Sequence, residues 1–99
     1  MAGQSLPCSS INLSGTIAAS GTFQQIQAQN LGRIAGAINN NGANQQWVFF
    51  GPIANATTLN SWPLNVGGWV NCQAGPVYTI SDQVSIAGTA GDTFFANFQ

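Results

Sequence analysis

The sequence predicts an all-β domain: a small antiparallel β-sandwich or jelly-roll-like barrel of seven or eight short strands. Three observations carry that prediction. Short apolar runs alternate with a period of two, turn-forming residues recur about every ten positions, and no segment has the apolar spacing of an amphipathic helix.

The first strand is read in "INLSGTI", where Ile11, Leu13 and Ile17 share one side and Asn12, Ser14 and Thr16 the other. In "GTFQQIQAQN", Gln24, Ile26 and Ala28 alternate with Phe23, Gln25 and Gln27, and either face can be the inward one. "GRIAGAINN" sets Ile34, Gly36 and Ile38 against Ala35 and Ala37, small side chains that suit close packing of another layer. "QQWVFFG" is aromatic and β-branched and ends at Gly51-Pro52. Between these two runs "NNNGANQQ" carries Asn41-Gly42, a strong turn signal, so the pair reads as a hairpin. "IANATTLNSWP" is the longest irregular loop. "LNVGGWVNCQ" follows, broken at Gly67-Gly68, then "VYTISDQVSIAG" with two short strands around Ser81-Asp82, and a last strand in "TFFANFQ". Phe49, Phe94 and Phe98 are assigned to the core from their place in strand-like runs.

No internal repeat or linker divides the chain, and its length suits one domain over residues 11–99. Residues 1–10 read as an extended N-terminal arm, with Pro7 breaking regular structure and Leu6 its isolated apolar residue. The opening residues show neither a basic region followed by an apolar one nor any membrane-length apolar run. Arrival outside a cell is therefore expected only through lysis or as part of a larger body.

Composition narrows the function. Only 3% of residues are charged, with one Lys or Arg, two Asp or Glu and no His, while eleven Asn and ten Gln supply polarity as neutral amides. A net charge of −1 offers no field to attract nucleic acid or an anionic membrane. It also removes the repulsion that keeps free monomers apart, which suits a fixed place in an assembly.

Catalysis needs groups that exchange protons or hold metals. Asp82, Asp92, Arg33, Tyr78, Cys8 and Cys72 are the whole inventory, without the spacing of a zinc or calcium site. The chain is read as non-enzymatic, with no catalytic residue, metal or cofactor. Both Asp residues sit at turn-like positions and are assigned to local backbone bonding. Arg33 offers five donors, enough to satisfy several loop carbonyls or pair with one Asp, with recognition of a ligand as the alternative. Cys8 and Cys72 are either two ordinary thiols or a pair tying the arm to the body. Trp62 and Trp69, at breaks in the pattern, are candidates for an exposed interface together with Leu6 and Arg33. "NLS" at Asn12 and "NAT" at Asn55 match the glycosylation pattern at the rate an Asn-rich chain gives by chance.

The pieces Ser20-Gly21-Thr22, Arg33, Ile38 with its Asn run, Trp47-Val48-Phe49-Phe50-Gly51, Gly67-Gly68-Trp69 and Val84-Ser85-Ile86-Ala87-Gly88 through Phe94 resemble, in order, a group of small tailed-phage virion proteins. The resemblance spans about Ser20 to Ala96 and departs from the pattern in its lack of charge and its N-terminal arm. It implies a capsid-associated accessory protein that decorates, cements or forms a spike on the virion, assembled in the host cytoplasm. Its implied partners are the major capsid protein or other virion proteins, and copies of itself, a trimer being favoured. The alternative is a carbohydrate-binding module or adhesin, with Trp62 and Trp69 stacking on sugar rings and Asn or Gln bonding hydroxyls.

Overall fold

In the computed structural model, residues 11–29, 35–73 and 83–98 are described. Among these residues nine strands form two antiparallel sheets: β1 (Ile11–Asn12), β2 (Gly15–Thr16), β3 (Gln24–Gln27), β4 (Ala35–Asn40), β5 (Gln46–Phe50), β6 (Trp62–Leu64), β7 (Trp69–Gln73), β8 (Val84–Ala87) and β9 (Thr93–Phe98). The first sheet has the order β1-β9-β4-β7, with β2 beside β1 on β9; the second has the order β3-β8-β5-β6. The nested pairs β2 with β9, β3 with β8, β4 with β7 and β5 with β6 make one long hairpin rolled over itself. That is jelly-roll connectivity, one of the two architectures the sequence predicts.

Strands β1 and β2 are one strand position. Their register against β9 runs through without a shift, from Ile11 opposite Phe98 to Thr16 opposite Thr93. The ladder breaks between them because side chains replace backbone partners. Ala96 N–H donates to Ser14 Oγ at 3.0 Å, and Ser14 N–H donates to Asn12 Oδ1 at 2.9 Å.

The core is built by the expected alternation. Phe94, Ala96 and Phe98 of β9 and Ile38 of β4 face Val48 of β5, Val84 and Ile86 of β8, and Leu64 of β6, with Ile17 closing one end. Leu13, Ile26, Phe50 and Val70 pack around this cluster, while Ile11 is left 51% exposed at the sheet edge.

Three expectations are corrected. The run 41–45 is not a hairpin: β4 pairs with β7 and β9, and β5 with β6 and β8, so the Asn-Gly turn carries the chain from one sheet to the other. A turn signal fixes local backbone shape, whereas strand partners are chosen by which faces can be buried together. Trp62 lies in β6, opposite Val48, and not in the preceding loop, which is instead tightened by 3-10 turns at Ile53–Asn55 and Thr58–Asn60. Phe49 is half-buried on the outward side of β5, because the inward positions are Gln46, Val48 and Phe50. Its ring lies over Gly51, where an added Cβ would meet it at 3.2 Å. The strand expected before Ser81-Asp82 lies outside the described residues.

Candidate assembly surface

Strand register sorts the surface of the first sheet. Because Phe94, Ala96, Phe98 and Ile38 point inward, the alternate positions of β9, β4, β7 and β1 point out. Asn12, Asn97, Ala37 and Asn71 make one row across the sheet. The neighbouring row runs through Phe95, Asn39 and Trp69. The Trp69 and Phe95 rings meet edge-to-face across β4, with centroids 5.8 Å apart and planes at 68°. Beneath them Asn39 Nδ2 donates to the carbonyls of Gly68 at 2.9 Å and Gly67 at 3.3 Å, fixing the turn that starts β7. Gly67 has φ +81°, a conformation that side chains avoid, so the sharp entry into β7 depends on it. None of these face residues carries a charge, and Trp69 is 58% exposed.

The second sheet covers its own outer face. Ser85 and Ala87 point away from the core yet are fully buried, because register sets the half-buried rings of Phe49 and Trp47 beside them.

The four sheet edges differ in the same way. Edge strands expose unpaired backbone groups, which proteins blunt with short strands, Pro, bulges or charge. β1 and β2 are two residues each, β3 has a register shift between Gln25 and Gln27, and β6 carries Pro63 at its centre. β7 has none of these. It is five residues, "WVNCQ", uncharged, in unshifted register with β4, and among the described residues no strand pairs with its other side.

Of the residues singled out from sequence, Trp69 is on this face and edge. Trp62 opposes inward-facing Val48 and Trp69 opposes outward-facing Asn39, so the two indoles do not form one platform. Leu6, Arg33 and Cys8 lie outside the described residues; Cys72 is placed by its backbone, in β7 opposite Gly36. Phe95 and Asn39 are not among the residues singled out from sequence, although the alternation in "TFFANFQ" separates Phe95 from Phe94 and Phe98.

A cleft of about 350 Å³ opens just past the C-terminal end of β5, lined by Gln29, Gly51, Pro52, Ile53, Ala54 and Gln83. Both ends of the Gln83 amide are engaged there, accepting from Ile53 N–H and donating to Gln25 Oε1, each at 2.6 Å. The lining holds no titratable group. Asp92, the one carboxylate among the described residues, is occupied structurally: its Oδ2 accepts the backbone N–H and the side-chain amide of Asn44, both at 3.0 Å.

No family model and no curated protein matches the chain. Among solved structures it is similar to a chain described under "Bacillus endospore appendages form a novel family of disulfide-linked pili", with a TM-score of 0.52 at 18% identity over 91% of this chain and 81% of that one. A likeness at that identity speaks to the fold, an all-β sandwich.

Proposed function

We propose that this chain is a non-enzymatic structural subunit that assembles with copies of itself into a fibre, through the β7 edge and the neutral outer face beside it. The carrying observation is that, among the described residues, β7 is the one long, uncharged and unguarded edge, next to the half-open Trp69–Phe95 pair. Such an edge is a template for strand addition, in which main-chain hydrogen bonds supply the affinity. The absence of charge fits an interface made of apolar and amide contacts, which salt does not screen.

The likeness to a chain described among disulfide-linked pili gives the two cysteines a role in the same reading. Ile11, Phe98, Gly36 and Cys72 occupy one row across the first sheet. Three strand spacings separate its ends, about 14 Å. Cys8 precedes Ile11 by three residues, a reach of roughly 10 Å when extended. A disulfide spans about 5.5 Å between Cα atoms, so a bond within one chain would need residues 8–11 to cover the remaining distance of about 8.5 Å across the sheet and not along β1. A bond from Cys8 of one copy to Cys72 of another makes no such demand and locks the assembly covalently.

A second reading, a virion accessory subunit, is favoured by the jelly-roll connectivity, which recurs in viral capsid domains. One set of measurements separates the two. The full chain is examined by light scattering and electron microscopy at low and high salt, with and without reductant, and by non-reducing electrophoresis. Salt-resistant polymers whose covalent ladder collapses in Cys72→Ser support the fibre subunit. A small discrete oligomer that binds only an assembled shell supports the virion subunit, and a monomer under every condition refutes self-assembly. Quenching of indole fluorescence by a neutral glycan would instead revive the carbohydrate-binding alternative.

A further inference from the structure

The turn that carries the chain between sheets, Asn41-Gly42, is also the sequence most prone to spontaneous deamidation, since glycine leaves the attacking nitrogen unshielded. In that reaction a base removes the Gly42 amide proton and the nitrogen attacks Asn41 Cγ. The new C–N bond forms as Cγ–Nδ2 breaks, and Nδ2 leaves as ammonia. Water then opens the succinimide to aspartate or isoaspartate, so the net change is water taken up and ammonia released. No other reactant is needed, and asparagine is accordingly among the thermolabile residues.

We propose that Asn41-Gly42 is a latent modification site held unreactive by Asn40 and Thr93, which engage the two reacting groups separately. Gly42 N–H, the nucleophile's proton, donates to Asn40 Oδ1 at 2.9 Å. Asn40 cannot swing away, because it is fully buried and its Nδ2 donates to Leu64 O at 2.8 Å and to Asn44 O at 2.9 Å. The electrophile is held elsewhere: Asn41 Oδ1 accepts from Thr93 Oγ1 at 2.8 Å, on the neighbouring strand. Deamidation must break the first bond to deprotonate the nitrogen and the second to bring Cγ to it.

The consequence of release is local and electrostatic. Asp92 packs so closely on the turn that a Cβ at Gly42 would lie 2.7 Å from Asp92 Cβ. A new carboxylate at position 41 stands one residue from that contact, and like charges in proximity repel. Isoaspartate also lengthens the backbone by one methylene. Release therefore unfastens the 41–45 crossing from the start of β9.

Two measurements on the full chain test this. Hydrogen exchange at the Gly42 amide reads removal of the same proton that starts the reaction; protection is expected there, and exchange at the rate of an unstructured amide would overturn the proposal. Deamidation at Asn41, followed by peptide mass spectrometry at mildly alkaline pH, is compared with a free peptide of the sequence 39–44. The chain is expected to react at least roughly tenfold more slowly, a factor equal to about 1.4 kcal/mol of barrier. Thr93→Val, at an exposed residue, is expected to accelerate it several-fold. Equal rates for chain and peptide would overturn the protection. An unchanged or slower rate in Thr93→Val would overturn the double clamp, since it would mean that Thr93 acts by polarising the carbonyl or not at all.

Discussion

Asp92 receives both the backbone N–H and the side-chain amide of Asn44 on one carboxylate oxygen, at 3.0 Å each, joining the crossing between β4 and β5 to the residue that precedes β9. The partners are 48 positions apart in sequence, so the contact closes a loop through most of the fold. Asp92 N–H donates to Thr89 O at 3.0 Å and its carbonyl accepts from Ile17 N–H at 2.8 Å, which leaves the carboxylate aimed across the turn. Charge-assisted hydrogen bonds are stronger than neutral ones even at partly exposed sites. Asp92→Ala is expected to destabilise the chain by about 1–3 kcal/mol, seen as a lower urea midpoint with an unchanged slope.

Glycine at 42 is required by space, and glycine at 21 by backbone conformation. An added Cβ at Gly42 would sit 2.7 Å from Asp92 Cβ and 3.1 Å from Gln46 Nε2, and Asp92 Cβ is fixed to its backbone. Gly42→Ala is expected to cost about 1–3 kcal/mol, the range for overpacking. Gly21 has φ +72° with open space around its Cβ position, so Gly21→Ala meets only the left-handed penalty of about 1–2 kcal/mol. The two are distinguished by the double variants with Asp92→Gly, which removes the Cβ at 2.7 Å: the Gly42→Ala cost shrinks there and the Gly21→Ala cost is unchanged.

Asn40 is a polar residue at a core position, and the structure gives it full employment. Besides its side-chain bonds to Leu64 O, Asn44 O and Gly42 N–H, its backbone N–H donates to Gly68 O at 3.0 Å and its carbonyl accepts from Gly67 N–H at 2.8 Å. One residue thus holds the 41–45 crossing, the end of β6 and the turn into β7. Asn40→Ala leaves buried groups without partners, and a loss of about 3 kcal/mol or more is expected in thermal or urea unfolding. Asn39→Ala, which removes only the bonds to Gly67 O and Gly68 O at a half-buried site, is expected to cost about 1 kcal/mol.

The division between what was legible in the sequence and what was not follows the range of the forces involved. Alternation is a local consequence of strand geometry, so the inward positions Ile17, Ile38, Phe94 and Phe98 could be read directly. Asn41-Gly42 announced a turn, but whether a turn joins partners in one sheet or crosses to another depends on residues far along the chain. Hence the hairpin expectation failed although the turn is real. The outward position of Phe49 failed for a related reason: aromatic content alone does not say which parity is inward, and Val48 with Gln46 decided it. The β7 edge was invisible because an edge is defined by the absence of a neighbour, which no local pattern encodes. Asn39 and Asn40 looked like turn residues; their work is to satisfy carbonyls of Leu64, Gly67 and Gly68, placed there by the fold.

If β7 is the assembling edge, a charge on it should act on assembly and leave the subunit intact. Asn71 is exposed at the middle of β7 and on the outward face, level with Ala37. Lysine on an edge strand is a natural guard against strand addition, because pairing would bury the ammonium against the incoming chain. Asn71→Lys is therefore expected to keep the unfolding midpoint of the parent within about 0.5 kcal/mol while shifting the population from polymers to small species in light scattering and electron microscopy. Leu59→Lys is the control. Leu59 is 97% exposed on the 3-10 turn at Thr58–Asn60, so it removes more open apolar surface without touching β7. If association were merely sticky, Leu59→Lys would suppress it as strongly as Asn71→Lys. If it is strand pairing at β7, only Asn71→Lys does, and polymers that survive Asn71→Lys would place the interface on another part of the subunit.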